Sequence, residues 1–217
     1  MRPSIFERLK TKENCTMLDV SFRMCKTICE FVSDLFYDRS IRSNVPTKEK
    51  QSISDDPIYN WGKPIVFHQI TNNGKQTSLP EAKWIVNVIE KFVGYGVEGS
   101  EIGIISPFRA QAMMIRRLIM GNNHIEEKDK KTISSDTVDR MQGQEREIII
   151  YSMTAGDIQY MIEMGDFLYN PNKLNVAFSR AKFKLIVVGD FTKIKNLKLE
   201  EYPHLIKMTK SHLVTHV

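Results

Sequence analysis

The sequence has no phosphate loop of the G-x-x-x-x-G-K-[ST] type, no H-E-x-x-H and no G-x-S-x-G. The parts of a self-sufficient nucleotide hydrolase, zinc protease or serine hydrolase are therefore not present in it. Gly94, Gly96 and Gly99 make G-x-G-x-x-G, but between a helical pattern and a strand. A dinucleotide fingerprint needs the opposite order, strand then helix. Cysteine is scarce: Cys15, Cys25 and Cys29 make no disulfide framework. Cys25 and Cys29 are four apart, as are His212 and His216, yet no local C-x-x-C accompanies them. Small core residues and a solvated tail describe them better than a zinc site. No apolar run approaches the roughly 18–20 residues of a membrane helix. The first residues, MRPSIFERLKTKEN, have neither the apolar core nor the cleavage site of a signal peptide. An intracellular protein with no membrane partner is expected. There is no internal repeat and no run of five or more Lys/Arg.

The remainder is ordinary for a soluble globular domain: 217 residues, 41% hydrophobic and 26% charged. A net charge of +5 and a pI near 9.0 lean toward a polyanionic partner. MLDVSF (Met17–Phe22) reads as a short strand. Met24, Ile28, Phe31, Val32, Leu35 and Phe36 then fall at helical spacing. Residues 38–63 carry Pro46, Pro57 and Gly62 without a period and read as an irregular excursion. Ile65–Ile70 is a strand. Ser78, Pro80 and Glu81 mark a capped helix start, and Gly94 and Gly96 its end. Glu101–Ser106 is a strand, and Pro107 opens a helix to about Met120. A charged loop over 122–131 leads to a strand at Thr132–Val138. Beyond Phe191 no period is clear, and 198–217 reads as a tail. Strands alternating with helices predict an α/β domain with a parallel sheet.

Two segments organise this pattern: TVDRMQGQEREIIIYSM (Thr137–Met153) and LNVAFSRAKFKLIVVGD (Leu174–Asp190). Each joins a continuous apolar run, the mark of a strand buried on both faces, to a polar cluster. Gln142, Gly143, Glu145 and Arg146 precede the first run; Asn175, Ser179 and Arg180 precede the second. Arg180 is placed on the helix before the last strand. Ligands of such sheets collect beyond strand ends, which makes these clusters and Arg23, Ser106 and Thr137 the candidate site.

The same stretches resemble the second RecA-like domain of superfamily 1 helicases. The nearest group holds the nonsense-mediated-decay RNA helicase, its relatives in transcription termination, and the Okazaki-fragment nuclease-helicase. The resemblance runs colinearly from SIFERL at Ser4 to VVGD at Asp190. SIFERL, LDVSFRM and FVSDLFYD resemble the segment after the third ATPase motif, and EIGIISPFRAQ the strand-plus-Pro-plus-Gln motif. TVDRMQGQEREIIIYS and LNVAFSRAK resemble motifs five and six. Cys25–Lys26 depart from the His-Pro that commonly follows Arg-Met in the family.

The resemblance implies a RecA-like three-layer α/β fold, P-loop NTPase-like but without its own phosphate loop. Residues 1–217 form one C-terminal helicase domain, and an N-terminal ATPase domain is expected upstream of Met1. Arg180 resembles the arginine finger and Arg23 a second arginine near the same phosphate, so both are catalytic candidates. Arginine suits this because its fork grips two phosphate oxygens and stays charged. Phe22 stands where a tyrosine usually stacks on the base. Gln142, Gly143 and Glu145 match the turn that couples nucleotide to strand, with Glu145 resembling the carboxylate that accepts from the sugar. Ser106, Pro107, Gln111 and Thr137 resemble residues at the nucleic-acid backbone. ATP and Mg2+ would be held mainly by the N-terminal domain, and no metal is assigned to this chain.

Two functions are compatible with these residues. One is the C-terminal motor domain of an ATP-dependent helicase acting on single-stranded DNA or RNA, with 5′→3′ movement suggested by the subgroup. The other is a catalytically inactive module that docks nucleic acid or protein. The isolated 217 residues are expected to lack ATPase activity, because no lysine-bearing phosphate loop or magnesium-binding acidic motif is present.

Overall fold

The computed structural model describes residues 9, 16–46, 52–197 and 201–217. Cys15, most of SIFERL and the start of the 198–217 tail lie outside the described residues. Six strands form the central sheet: β3 (Ile65–Gln69), β4 (Ile102–Ser106), β5 (Ser134–Thr137), β6 (Arg146–Ser152), β7 (Ala181–Gly189) and β8 (Thr215–His216). Their spatial order is β5-β4-β6-β7-β3-β8 and every pairing is parallel. A parallel two-stranded ribbon, β1 (Val20–Ser21) with β2 (Arg42–Ser43), stands apart from it.

The apolar runs resolve by strand alternation into two cores. Phe67, Ile149, Tyr151, Leu185 and Val187 face one cluster; Val66, Ile148, Ile150, Ile186 and Val188 face the other. The first face is covered by α1 (Lys26–Phe36), α7 (Pro171–Phe178) and α9 (Pro203–Lys210), through Phe31, Phe178 and Leu205 among others. The second is covered by α2 (Leu79–Gly94) and α3 (Arg109–Gly121), through Ile85, Ile89 and Ile115. This is the three-layer α/β arrangement that the alternating pattern predicts, with the apolar runs of the central strands buried on both faces.

The expected MLDVSF strand is reduced to Val20–Ser21, because its partner is the short β2 and not the central sheet. The expected charged loop 122–131 contains α4 (Glu127–Thr132), which gains acidic residues in its first turn and lysines in its last. Two short helices, α5 (Ile158–Glu163) and α6 (Gly165–Leu168), fill the stretch between the two organising segments. The C-terminal region adds α8 (Phe191–Lys195), α9 and the edge strand β8. Arg180 is not helical: α7 ends at Phe178 and β7 starts at Ala181, so Arg180 sits in the junction. Within 38–63, Ile58 and Tyr59 are buried. There the buried Lys184 on β7 donates to the carbonyls of Pro57 (2.6 Å), Asn60 (2.9 Å) and Lys63 (2.6 Å).

Of the cysteine and histidine pairs, Cys29 is 1% exposed in the core and His216 packs edge-on against Phe67. Among the described residues no helix is long and apolar enough to cross a membrane.

Candidate nucleotide and strand edges

The candidate residues occupy opposite ends of the sheet. Glu145, Arg180 and Lys182 lie where β6 and β7 begin, and Arg23 joins them from the turn after β1. Ser106 and Thr137 lie where β4 and β5 end, paired with each other. The expectation that ligands gather beyond strand C-termini therefore describes only the second group. The first is assembled by loops that enter the strands.

At the entry edge, the Glu145 carboxylate is shared by two cations. Arg23 Nε donates to Oε2 at 2.6 Å, and Lys182 Nζ lies 2.9 Å from Oε1. The hydrogen bond from Arg23, then that from Lys182, holds the Glu145 carboxyl below its ordinary range, so it is ionised at neutral pH. Arg23 also donates to the Ser179 carbonyl (3.3 Å). Its backbone is set by Ser21 Oγ, which accepts from Arg23 N, and by Cys25 N donating to the Lys182 carbonyl at 2.7 Å. Arg180 Nε donates to the Val176 carbonyl (3.0 Å) and Nη1 to that of Gln144 (3.3 Å). Burial, and then the nearby Arg23, pulls the Arg180 pKa down. Two guanidinium groups thus face one cleft of about 440 Å³ lined by Phe22, Arg23, Tyr37, Glu145, Ser179 and Arg180. Phe22 is 75% exposed, an aromatic face presented to solvent.

Gln142 and Gly143 are exposed. Gly143 has φ 83°, a left-handed turn that excludes most side chains, while a Cβ there would meet nothing within 4 Å. The neighbouring Gln144 accepts from Arg180 through its carbonyl and from Arg146 Nη2 through its side chain. Gln144 and Lys182 were not singled out in the sequence. Lys182 carried a signal: it follows Arg180 by two where a strand begins, and alternate strand residues share a side.

At the exit edge, Pro107 and Thr137 are half-buried. Ser106 and Gln111 are both 0% exposed, so their side chains lie beneath the surface. Ser106 Oγ lies 3.0 Å from Thr154 Oγ1 and accepts from Phe108 N. Gln111 accepts from Ser78 N (2.8 Å) and donates to the Ser78 carbonyl and Ser152 Oγ. Both are internal braces. Gln111 takes the Ser78 N–H that a full capping box would give to Glu81. Ser78 Oγ still caps α2 by accepting from Glu81 N.

The two edges are joined by residues 138–145. Thr137 pairs with Ser106, and Ile105 with Tyr151, so Thr137 is level with the far end of β6. Glu145 adjoins the near end, one strand length or about 20 Å away. The connection is a compact turn: the Thr137 carbonyl accepts from Arg140 N and Met141 N, and Met141 is 0% exposed in the core.

Its family and relatives make this parallel-sheet domain a C-terminal superfamily 1 helicase domain. The chain belongs to a family of AAA domains, whose family model matches residues 1–192. It is 30% identical over 198 residues to the "Regulator of nonsense transcripts 1 homolog" of Arabidopsis thaliana, covering 86% of the chain and 15% of the relative. The same-named protein of Neurospora crassa is 27% identical over 201 residues, covering 88% and 18%. The "ATP-dependent helicase NAM7" of Saccharomyces cerevisiae is 29% identical over 201 residues, covering 88% and 20%. The chain thus spans about a fifth or less of the length of these relatives.

Proposed function

We propose that this chain is the second half of an ATP-driven translocase on single-stranded nucleic acid, completed by an N-terminal RecA-like domain that holds ATP and Mg2+. The observation that carries this is the cleft with Arg23 and Arg180 on one rim and Glu145 between Arg23 and Lys182. Two like charges in one partly buried cleft favour an incoming polyanion, because a triphosphate relieves their mutual repulsion. Arg180 would act as the finger on the γ-phosphate and Arg23 as the second phosphate arginine. Glu145 would accept from the sugar, and Phe22 would stack on the base. Hydrolysis would then require the two domains to close on each other.

At the exit edge, Pro107 and Thr137 would meet the phosphate backbone without reading sequence. Residues 138–145 would carry the state of one edge to the other as one rigid turn. The docking reading uses the exit edge alone and leaves the arginine cleft without a task. In the intact protein, ATP turnover should rise at least about tenfold when an oligonucleotide is added. Turnover that stays at background while the oligonucleotide binds would favour the docking module. Comparing DNA and RNA oligonucleotides in that assay assigns the substrate class.

A further inference from the structure

The helicase reading leaves Glu81 without a role, although it is one of the most enclosed charged groups among the described residues. It sits in the first turn of α2 at 0% exposure. Three donors converge on it. Ser152 Oγ (2.7 Å) and Thr154 N (3.0 Å) donate to Oε2, and Asn72 Nδ2 (2.9 Å) to Oε1. Burial pushes its carboxyl up to about 7, while the bonds from Ser152 and Thr154 pull it back. An apolar side chain would fill this place at lower cost, so what the acid adds is its acceptors.

Those acceptors hold loops that leave the strands. Thr154, just after β6, has φ 68° and is 0% exposed. A β-branched residue in the left-handed region is strained, and its surroundings must hold it there. Its N–H donates to Glu81, and its Oγ1 shares hydrogen bonds with Ser106 Oγ (3.0 Å) and Ser152 Oγ (3.1 Å). Asn72, after β3, passes the restraint on: its Oδ1 accepts from Gly74 N at 2.8 Å, and its own N–H donates to Asp190 after β7. Gly156 N donates to the Gly74 carbonyl, and a Cβ on Gly156 would lie 2.3 Å from the Asn72 carbonyl oxygen. Lys193 Nζ closes the group on the carbonyls of Asn72 (2.6 Å) and Gly156 (2.8 Å), 3.5 Å from Asp190.

We propose that Glu81 is a positioning residue for strand binding. From inside the protein it fixes the loops after β3 and β6, and through Asn72 and Thr154 those after β7 and β4, into one preformed surface at the exit edge. The proposal rests on the exit edge being the strand-binding face. It also gives the buried Ser106 and Gln111 their place as braces of that surface.

The test compares the wild-type chain with Glu81→Gln, Asn72→Ala, and Glu81→Gln combined with Asn72→Asp. Glutamine keeps an oxygen for Thr154 and Ser152 but turns an amide toward the Asn72 amide, breaking that link. Aspartate at 72 would accept from this amide and restore it. Amide hydrogen exchange at Gly74 and Gly156 should quicken at least about tenfold in the two single variants, with β6 core amides unchanged, and return in the double variant. Affinity of the intact protein for a uniform oligothymidine or oligouridine should fall about tenfold and recover in parallel. Unchanged exchange at Gly74 and Gly156 overturns the proposal alone. Quickened exchange with undiminished affinity overturns its strand-binding role. No oligonucleotide binding by the wild type overturns the reading of the exit edge, and the proposal with it.

Discussion

Replacing Arg180 by alanine in the intact protein is expected to lower ATP turnover by about 10³-fold or more while ATP still binds. The size follows from what the residue would do. Charge that develops on the γ-phosphate needs a fixed cation, and water in an opened cleft is a poor substitute. Arg180 is prepared for this by its backbone contacts. The Val176 and Gln144 carbonyls hold its guanidinium between the end of α7 and the turn before β6. Lysine at 180 should recover little, because it cannot keep both carbonyls and also present a fork. Arg23→Ala should lose less, since Arg23 is shared with Glu145 in the absence of nucleotide. Steady-state hydrolysis together with binding of a fluorescent ATP analogue separates catalysis from affinity. Unchanged turnover in Arg180→Ala contradicts the finger assignment.

The second large effect is on stability. Lys184→Met should cost about 3 kcal/mol, because it removes the buried ammonium that three part-buried carbonyls share. For a chain of this size that lowers the Tm by roughly 6–12 °C. The carbonyls of Pro57, Asn60 and Lys63 all converge on the Lys184 ammonium. This one side chain on β7 therefore ties the second half of the 38–63 segment to the sheet. Ile58 and Tyr59 pack beneath it, so loosening the loop also uncovers apolar surface. Thermal denaturation with limited proteolysis should show the lower Tm and new cleavage within 52–63. An unshifted Tm without new cleavage means that packing, not Lys184, holds the segment.

Lys184 also shows where the sequence stopped being readable. Its neighbours Phe183 and Leu185 make it look like one polar position in an alternating strand, and nothing local marks it as buried. Its acceptors are carbonyls more than a hundred positions earlier. The central strands were legible because their Val and Ile runs are long, and the capped start of α2 because Ser78, Pro80 and Glu81 are adjacent. The short helices α5 and α6 were not, since one turn of helix carries too little period to separate from a loop. Arg23, Glu145 and Arg180 were found through their motifs. That they stand at the entry edge, with Lys182 bridged to Glu145, depends on strand direction, which composition does not reveal. The burial of Ser106 and Gln111 is likewise set by tertiary packing and not by any local signal.

The central claim is that residues 138–145 link a strand edge to a nucleotide edge. Gly143 is the place to test it, because its φ of 83° strains a β-branched side chain while the space around it is open and offers nothing to hold one there. In the intact protein, oligonucleotide binding should tighten ATP binding, and by reciprocity ATP should tighten oligonucleotide binding by the same factor. The decisive measurement is that coupling factor in wild type and in Gly143→Val. The expected result is a factor of about five or more that falls to near one in the variant, with each ligand still binding alone. A coupling factor that survives Gly143→Val undiminished contradicts the claim that this turn connects the two edges.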